Sequence, residues 1–338
     1  MMSLLRPARS LRRRRLIAAV AIGASLAALT LGTLTLGDLG IDPLQALSAL
    51  VGVGERGAVL VVQEWRLPRA VLGILIGALL AISGALFQIV TRNPLGSPDV
   101  LGFSTGAFTG VLIAMSSDAV GVLPLTSAAL LGGFGAAIAV FALSIRTGTR
   151  GFVIVITGIG VTAILGAVNT VLVLRADDLV ARSAAIWATG SLNGVDAGWV
   201  APAAAALLLV GAVVAWRAPA LQLLELGDER AAVVGARPAL TRGIAIGAGI
   251  VAIAVATAVT GPIAFVALAA PQIARRVWRS GTIPLVPTAA VGAVLLCASD
   301  LLASRLFAPA VLPTGLVTLC LGGLYLAWLL APRRKDSP

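Results

Sequence analysis

Ala70 to Val90 reads AVLGILIGALLAISGALFQIV, 21 residues without a charge, closed by Arg69 before it and Arg92 after it. At 1.5 Å of rise per residue, about 20 apolar residues cross the roughly 30 Å hydrocarbon core of a bilayer as a helix. Only helices and closed barrels satisfy every backbone polar group in hydrocarbon. The run lacks the apolar–polar alternation of a barrel strand, so it reads as a transmembrane helix.

The rest of the chain repeats this pattern. Apolar runs at 16–36, 70–90, 98–116, 124–145, 152–174, 200–216, 243–260, 263–278, 284–303 and 313–331 make ten candidate spans. Of the 338 residues, 59% are hydrophobic, 12% charged and only 4% aromatic, with mean hydropathy +1.04. A soluble domain needs far more surface charge. The expected architecture is all-α and polytopic: a basic cytoplasmic tail at 1–15, a membrane domain at 16–331 and a short tail at 332–338. Arg12 to Arg15 followed by Leu16 to Leu36 resembles a signal peptide, but the apolar stretch is long and more spans follow, so it reads as the first membrane helix. Only Gly261-Pro262 separates the seventh and eighth spans, which predicts that one of them is short or broken.

Charge placement orients the bundle. With the N-terminus in the cytoplasm, ten spans leave Arg56, Arg66, Arg69, Arg175, Arg182 and Arg305 outside, and the other 19 of 25 basic residues inside. That is the positive-inside bias, with both termini cytoplasmic in a multi-pass inner-membrane protein. It also explains the net charge of +11 without nucleic acid.

Three connections are long enough to carry function. Residues 37–69 contain a possible interfacial helix from Pro43 to Val53. Residues 175–199 carry Asp177, Asp178, Arg182 and Trp187 to Leu192. Residues 217–242 contain Leu226-Gly227-Asp228-Glu229-Arg230 and Gly235, which reads as a short helix begun near Asp228 and capped at Gly235.

Several chemistries lack their residues. There is no G-x-x-x-x-G-K-[ST], and the single lysine is Lys335, so the chain builds no phosphate-binding loop for ATP. There is no histidine, and Cys297 and Cys320 lie within apolar spans, so neither a metal centre nor a disulfide is expected. No acidic residue falls at mid-span; Asp99 and Asp300 lie near span ends. A self-sufficient ion-coupled transporter or exporter of a metal chelate usually needs such groups, and a membrane enzyme needs a catalytic cluster.

Other features have two readings each. Gly102, Gly106 and Gly110, with Gly73/Gly77 and Gly243/Gly247, suit close helix packing. Gly158, Thr162, Gly166 and Asn169 share one helix face, lining a pathway for a polar solute or simply packing. Thr91 to Pro98 makes a rigid turn, either a gate or a stiff connector. Arg66 and Arg69 run against the positive-inside bias, serving capture of an acidic partner or contact with lipid headgroups. Pro68 between them is expected to keep Leu67 out of a helix.

In combination these segments resemble the iron-siderophore and cobalamin ABC importer permease family, and the ferric-enterobactin type most of all. The resemblance rests on Arg66-Leu67-Pro68-Arg69, Gly77 to Gly84, Asn93-Pro94-Leu95-Gly96, Trp187 to Leu192, Leu226 to Arg230, Gly261 to Phe265, Ala270 to Arg275, Leu312 to Gly315 and Leu321 to Leu326. It implies the type II importer fold and import of a ferric siderophore, with cobalamin or haem as alternative cargoes. It implies no cofactor on this chain, with ATP used by a partner. The implied partners are a second permease subunit (identical or not), two ATPase subunits, an extracytoplasmic siderophore-binding protein and membrane lipid. By the same resemblance Arg66, Arg69 and Arg305 meet the binding protein. Asn93, Pro94 and Leu95 with Thr149, Gly151 and Phe152 form a cytoplasmic gate, and Gly158, Thr162, Gly166 and Asn169 line the path. Leu226, Gly227, Asp228, Glu229, Arg230 and Gly235 couple to an ATPase. The sequence departs from the family pattern at Ser304, with Arg305 one residue late, at Val311 and at Gln272.

Overall fold

The computed structural model describes residues 6–37, 40–117, 122–147, 151–308 and 310–330. Among these, all regular structure is helical: α1 (Arg6–Thr35), α2 (Pro43–Leu50), α3 (Arg56–Leu60), α4 (Leu67–Thr91), α5 (Phe103–Ser116), α6 (Val122–Thr147), α7 (Gly151–Arg175), α8 (Asp178–Ala188), α9 (Val200–Glu225), α10 (Asp228–Val233), α11 (Pro238–Thr260), α12 (Val266–Trp278), α13 (Leu285–Arg305) and α14 (Thr314–Leu330).

The ten expected spans correspond to α1, α4, α5, α6, α7, α9, α11, α12, α13 and α14. Among the described residues, seven helices are long and apolar enough to cross a bilayer unaided; α5, α12 and α14 are shorter. At 13 and 14 residues, α12 and α5 reach only about 20 Å. Before α5 runs a 3₁₀ turn, Pro98–Leu101, and before α12 the irregular Gly261–Phe265 packs against neighbouring helices, the setting in which non-helical chain is tolerated in a membrane. Before α12, Phe265 takes a left-handed φ of +71°. Its ring fills the space left by Gly322 on α14, where a Cβ would overlap it.

α4 is the hub. In its most apolar window 83% of residues are buried, against 17% in α7. It packs on α13, α11, α12 and α9. Gly77 meets Gly292 of α13, and Gly84 meets the Ala267 carbonyl of α12, both closer than a side chain permits. α5 and α6 form a second pair in the same way, through Gly106 and Gly110 against Gly132 and Ala128. Gly243 and Gly247, which share the spacing, face open space. Spacing alone does not say which face of a helix meets a neighbour.

Three sequence expectations change. Leu67 is helical despite Pro68, because Val61–Arg66 forms a π-helix running into α4. The Leu67 N–H bonds back five residues to Val62, and this widened turn accommodates a proline that cannot donate. The sixth span, placed at 200–216, continues as α9 through Pro219 to Glu225. The helix of the first span begins at Arg6, so it includes the arginines placed in the basic tail.

Candidate functional site

Two polar assemblies stand at opposite ends of α4. The first is at its start. Arg69 forms a bidentate ion pair with Asp300 of α13 (Nε–Oδ2 2.8 Å, Nη2–Oδ1 2.9 Å) and also donates to Asn193 Oδ1 at 2.6 Å. Asp300 is 6% exposed and also accepts from Thr314 Oγ1 at 2.8 Å. Thr314 in turn accepts from the Leu192 N–H. Backbone bonds extend the assembly: Ser191 N–H donates to Thr260 O, and Gly315 N–H to Gly190 O. Carbons on Gly190, Gly261 or Gly315 would overlap the carbonyls of Pro262, Trp187 or Thr189. Five separate stretches of sequence are thus keyed into one node.

Beside the node, Arg66 donates to the Leu34 and Thr35 carbonyls (2.6 and 3.2 Å), and Arg305 donates to Leu36 O. Both guanidinium groups meet at the C-terminus of α1, where unpaired carbonyls and the helix dipole favour cations. A cavity of about 980 Å³ opens beside the node, lined in part by Arg69, Asn193, Trp65, Trp187, Trp199 and Asp196.

The second assembly is at the end of α4. Arg92 terminates the helix with a left-handed φ of +50°, and Asn93 to Gly96 turns through an Asn93 Oδ1 to Leu95 N–H bond. The turn leads to Asp99, which receives the Ser97 and Ser104 hydroxyls. Asp228, first residue of α10, meets Arg242 of α11 at 2.7 Å and Arg92 at 4.0 Å. Leu226, Val233 and Val234 are exposed around it. A smaller cavity of about 230 Å³ lies alongside, where Gln272 donates to Gln88 and Gln88 donates to Leu268 O. No group of three His, Cys, Asp or Glu side chains suited to a metal ion occurs among the described residues.

The sequence matches the FecCD transport family over residues 25–332. The chain belongs to that family. It is 42% identical over 301 residues to the ferric enterobactin transport system permease protein FepG of Escherichia coli (strain K12), covering 89% of this chain and 91% of that protein. It is 34% identical over 317 residues to the achromobactin transport system permease protein CbrC of Dickeya dadantii (strain 3937), covering 91% and 89%. In fold it matches a solved metal-chelate type ABC transporter in an inward-facing conformation, with a TM-score of 0.81 at 23% identity, over 92% of this chain and 97% of that one.

For this FecCD member the structure locates most of the residues singled out by sequence. Arg66, Arg69 and Arg305 gather at one end, each with intramolecular hydrogen bonds. Asn93, Pro94 and Leu95 are exposed at the other end, as are Leu226, Glu229, Arg230 and Gly235, with Gly227 and Asp228 half-buried. Thr149 lies outside the described residues; Gly151 and Phe152 open α7. On α7, Gly158 and Asn169 are buried and Thr162 and Gly166 half-buried. Thr162 faces Gly102, and Asn169 donates to Thr105 O at 3.2 Å, so these two face the start of α5 in their own chain, while Gly166 has open space beside it. The exposed face of α7 is apolar: Ile156, Ile159, Ile164, Val168 and Val171.

Sequence reasoning gave no role to Asn193, Arg242 or Arg92, and noted Asp300 only as an acid near a span end. An aspartate inside an apolar run, with several arginines facing the same end of the bundle, was the available signal for the Arg69–Asp300 pair. The partnership of Asp228 with Arg242, 14 residues on, had no local signal.

Proposed function

We propose that this chain is the permease subunit of an ATP-driven importer that carries a ferric siderophore across the cytoplasmic membrane. The observation that carries the reading is the 42% identity, across nearly the whole length of both chains, to a ferric enterobactin permease. The lack of any phosphate-binding loop in the sequence supports ATP hydrolysis by partner subunits.

In this reading both termini are cytoplasmic. The Asp228 end faces two ATPase subunits, with Leu226, Gly227, Asp228, Glu229, Arg230 and Gly235 making the contact. Asn93, Pro94 and Leu95, with Thr149, Gly151 and Phe152, gate the cytoplasmic side. The Arg69 end faces an extracytoplasmic siderophore-binding protein. A second permease subunit completes the path, and the apolar outer face of α7 suits either that subunit or lipid. Arg66 and Arg305, already aimed at α1 carbonyls, act on the binding protein mainly through their combined positive field, which speeds encounter with an acidic partner.

The test is reconstitution in liposomes with ATP enclosed. Uptake of a ferric catecholate is expected only when the ATPase, the second permease subunit and the binding protein are present. Uptake by this chain alone, driven by an ion gradient, would establish secondary transport instead. Orientation is tested in a background lacking Cys297 and Cys320. A cysteine at the exposed Asp196 should react with an impermeant reagent added outside, and one at the exposed Glu229 should not; the opposite pattern overturns the topology.

A further inference from the structure

The carboxylate of Asp228 is reached from two helices besides its own. Arg242 Nη2 of α11 lies 2.7 Å from both of its oxygens, and the Arg242 side chain is only 9% exposed. Arg92 Nη2, at the end of α4, stands 4.0 Å away with 47% of its side chain exposed. Two left-handed residues bring these ends together. Arg92 has φ +50° and Gly227 has φ +103°, and a Cβ on Gly227 would lie 3.2 Å from Arg92 Nη1.

The contact of Arg92 with Asp228, at 4.0 Å and with both side chains well exposed, adds little to stability, whereas a non-glycine residue held in the left-handed region costs free energy. Stability alone therefore does not account for the arrangement. One partner is buried and fixed to α11. The other is solvated and can lengthen or shorten its contact. The residue holding that second partner begins the turn through Asn93, Pro94 and Leu95.

We propose that Asp228 is the positioning residue that passes displacement of α10 to the Arg92–Ser97 turn, through Arg92, while Arg242 anchors the carboxylate. The inference rests on the reading of α10 as the ATPase contact and adds the route by which that contact reaches the turn.

The experiment measures chelate transported per ATP hydrolysed in the reconstituted complex. Arg92→Ala should leave assembly and basal hydrolysis unchanged and lower the ratio about threefold to tenfold, a scale typical of changes in coupling between sites. Arg92→Lys, which keeps the charge, should recover most of it. Asp228→Asn should lower the ratio at least as much, and adding Arg92→Ala to it should cause no further loss, because the two residues act as one unit. A wild-type ratio in Arg92→Ala overturns the proposal, as do additive losses in the double variant. Hydrolysis and transport falling together with the ratio intact would indicate a docking or folding role and also overturn it. If Asp228→Asn fails to assemble, the contrast between Arg92→Ala and Arg92→Lys decides alone. A wild-type complex that moves no chelate on ATP would instead refute the ATPase reading itself.

Discussion

The two ends of α4 use the same chemistry, an aspartate shared with arginine, to opposite effect. At the Arg69 end the aspartate is 6% exposed, bound bidentate, and further satisfied by Thr314. At the Asp228 end the aspartate is 39% exposed and divided between a close arginine and a distant one. The glycines nearest each aspartate differ too: Gly315 and Gly190 beside the Arg69 node leave no room for a carbon, while Gly235 beside α10 has open space around it, although Gly96 in the adjoining turn is itself crowded. A saturated pair with its carboxylate buried resists rearrangement, and one with its carboxylate half-solvated permits it. The contrast suits a molecule braced at one end and adjustable at the other.

The sharpest way to break this comparison is at Asp300. Asp300→Ala takes the acceptor from the fully buried Thr314 hydroxyl and the bidentate partner from Arg69, whose side chain is 21% exposed. Removing one partner of a buried pair costs about 3–5 kcal/mol. Thermal unfolding of the purified chain in detergent should show a large fall in midpoint. A fall no larger than that of Asp228→Ala would erase the distinction between the two ends. The same logic bears on docking tests: Arg69→Glu would oppose two carboxylates and unfold the node, so charge reversal at Arg66 and Arg305 is the cleaner probe of the proposed binding-protein contact.

A second comparison sharpens the packing difference. Gly315→Ala drives a methyl group into the Thr189 carbonyl, and overpacking of this kind costs about 1–3 kcal/mol. Gly243→Ala, within α11 and facing open space, should stabilise by about 0.5–1 kcal/mol through helix propensity. Opposite shifts in unfolding midpoint are expected. A loss at Gly243 would mean that its face is occupied.

The spans were legible in the sequence because a bilayer imposes a length and an apolar composition that show in any window. The short helix α10 was legible for a local reason, since Asp228 marks its acidic start and Gly235 its end. What did not show was pairing across the fold. The sequence marks Arg69 as outward and unusual, yet its partner lies 231 residues away on α13, and only packing brings them together. The stripe from Gly158 to Asn169 had two readings of equal weight because periodicity gives a face but not what that face meets. The π-helix before Pro68 was hidden because the rule for residues preceding proline describes an ordinary turn and not a widened one.

The smallest expected effect is the most discriminating for the adjustable end. Arg92 is exposed, and its contact with Asp228 is 4.0 Å long. Exposed pairs contribute from nothing to about 1 kcal/mol, and surface substitutions away from special features stay within about 0.5 kcal/mol. Removing the side chain also leaves Asp228 its close contact with Arg242, so no buried charge is stranded. Arg92→Ala should therefore unfold within about a degree or two of the wild type, given that 1 kcal/mol moves the midpoint of a chain this large by roughly 2–4 °C or less. Raising the salt concentration should not separate the two proteins further, since the contact is already screened by solvent. A midpoint fall comparable to that of Asp300→Ala would show that the Asp228 end is as tightly built as the Arg69 end. The contrast between them would then fail where it is most exposed to test.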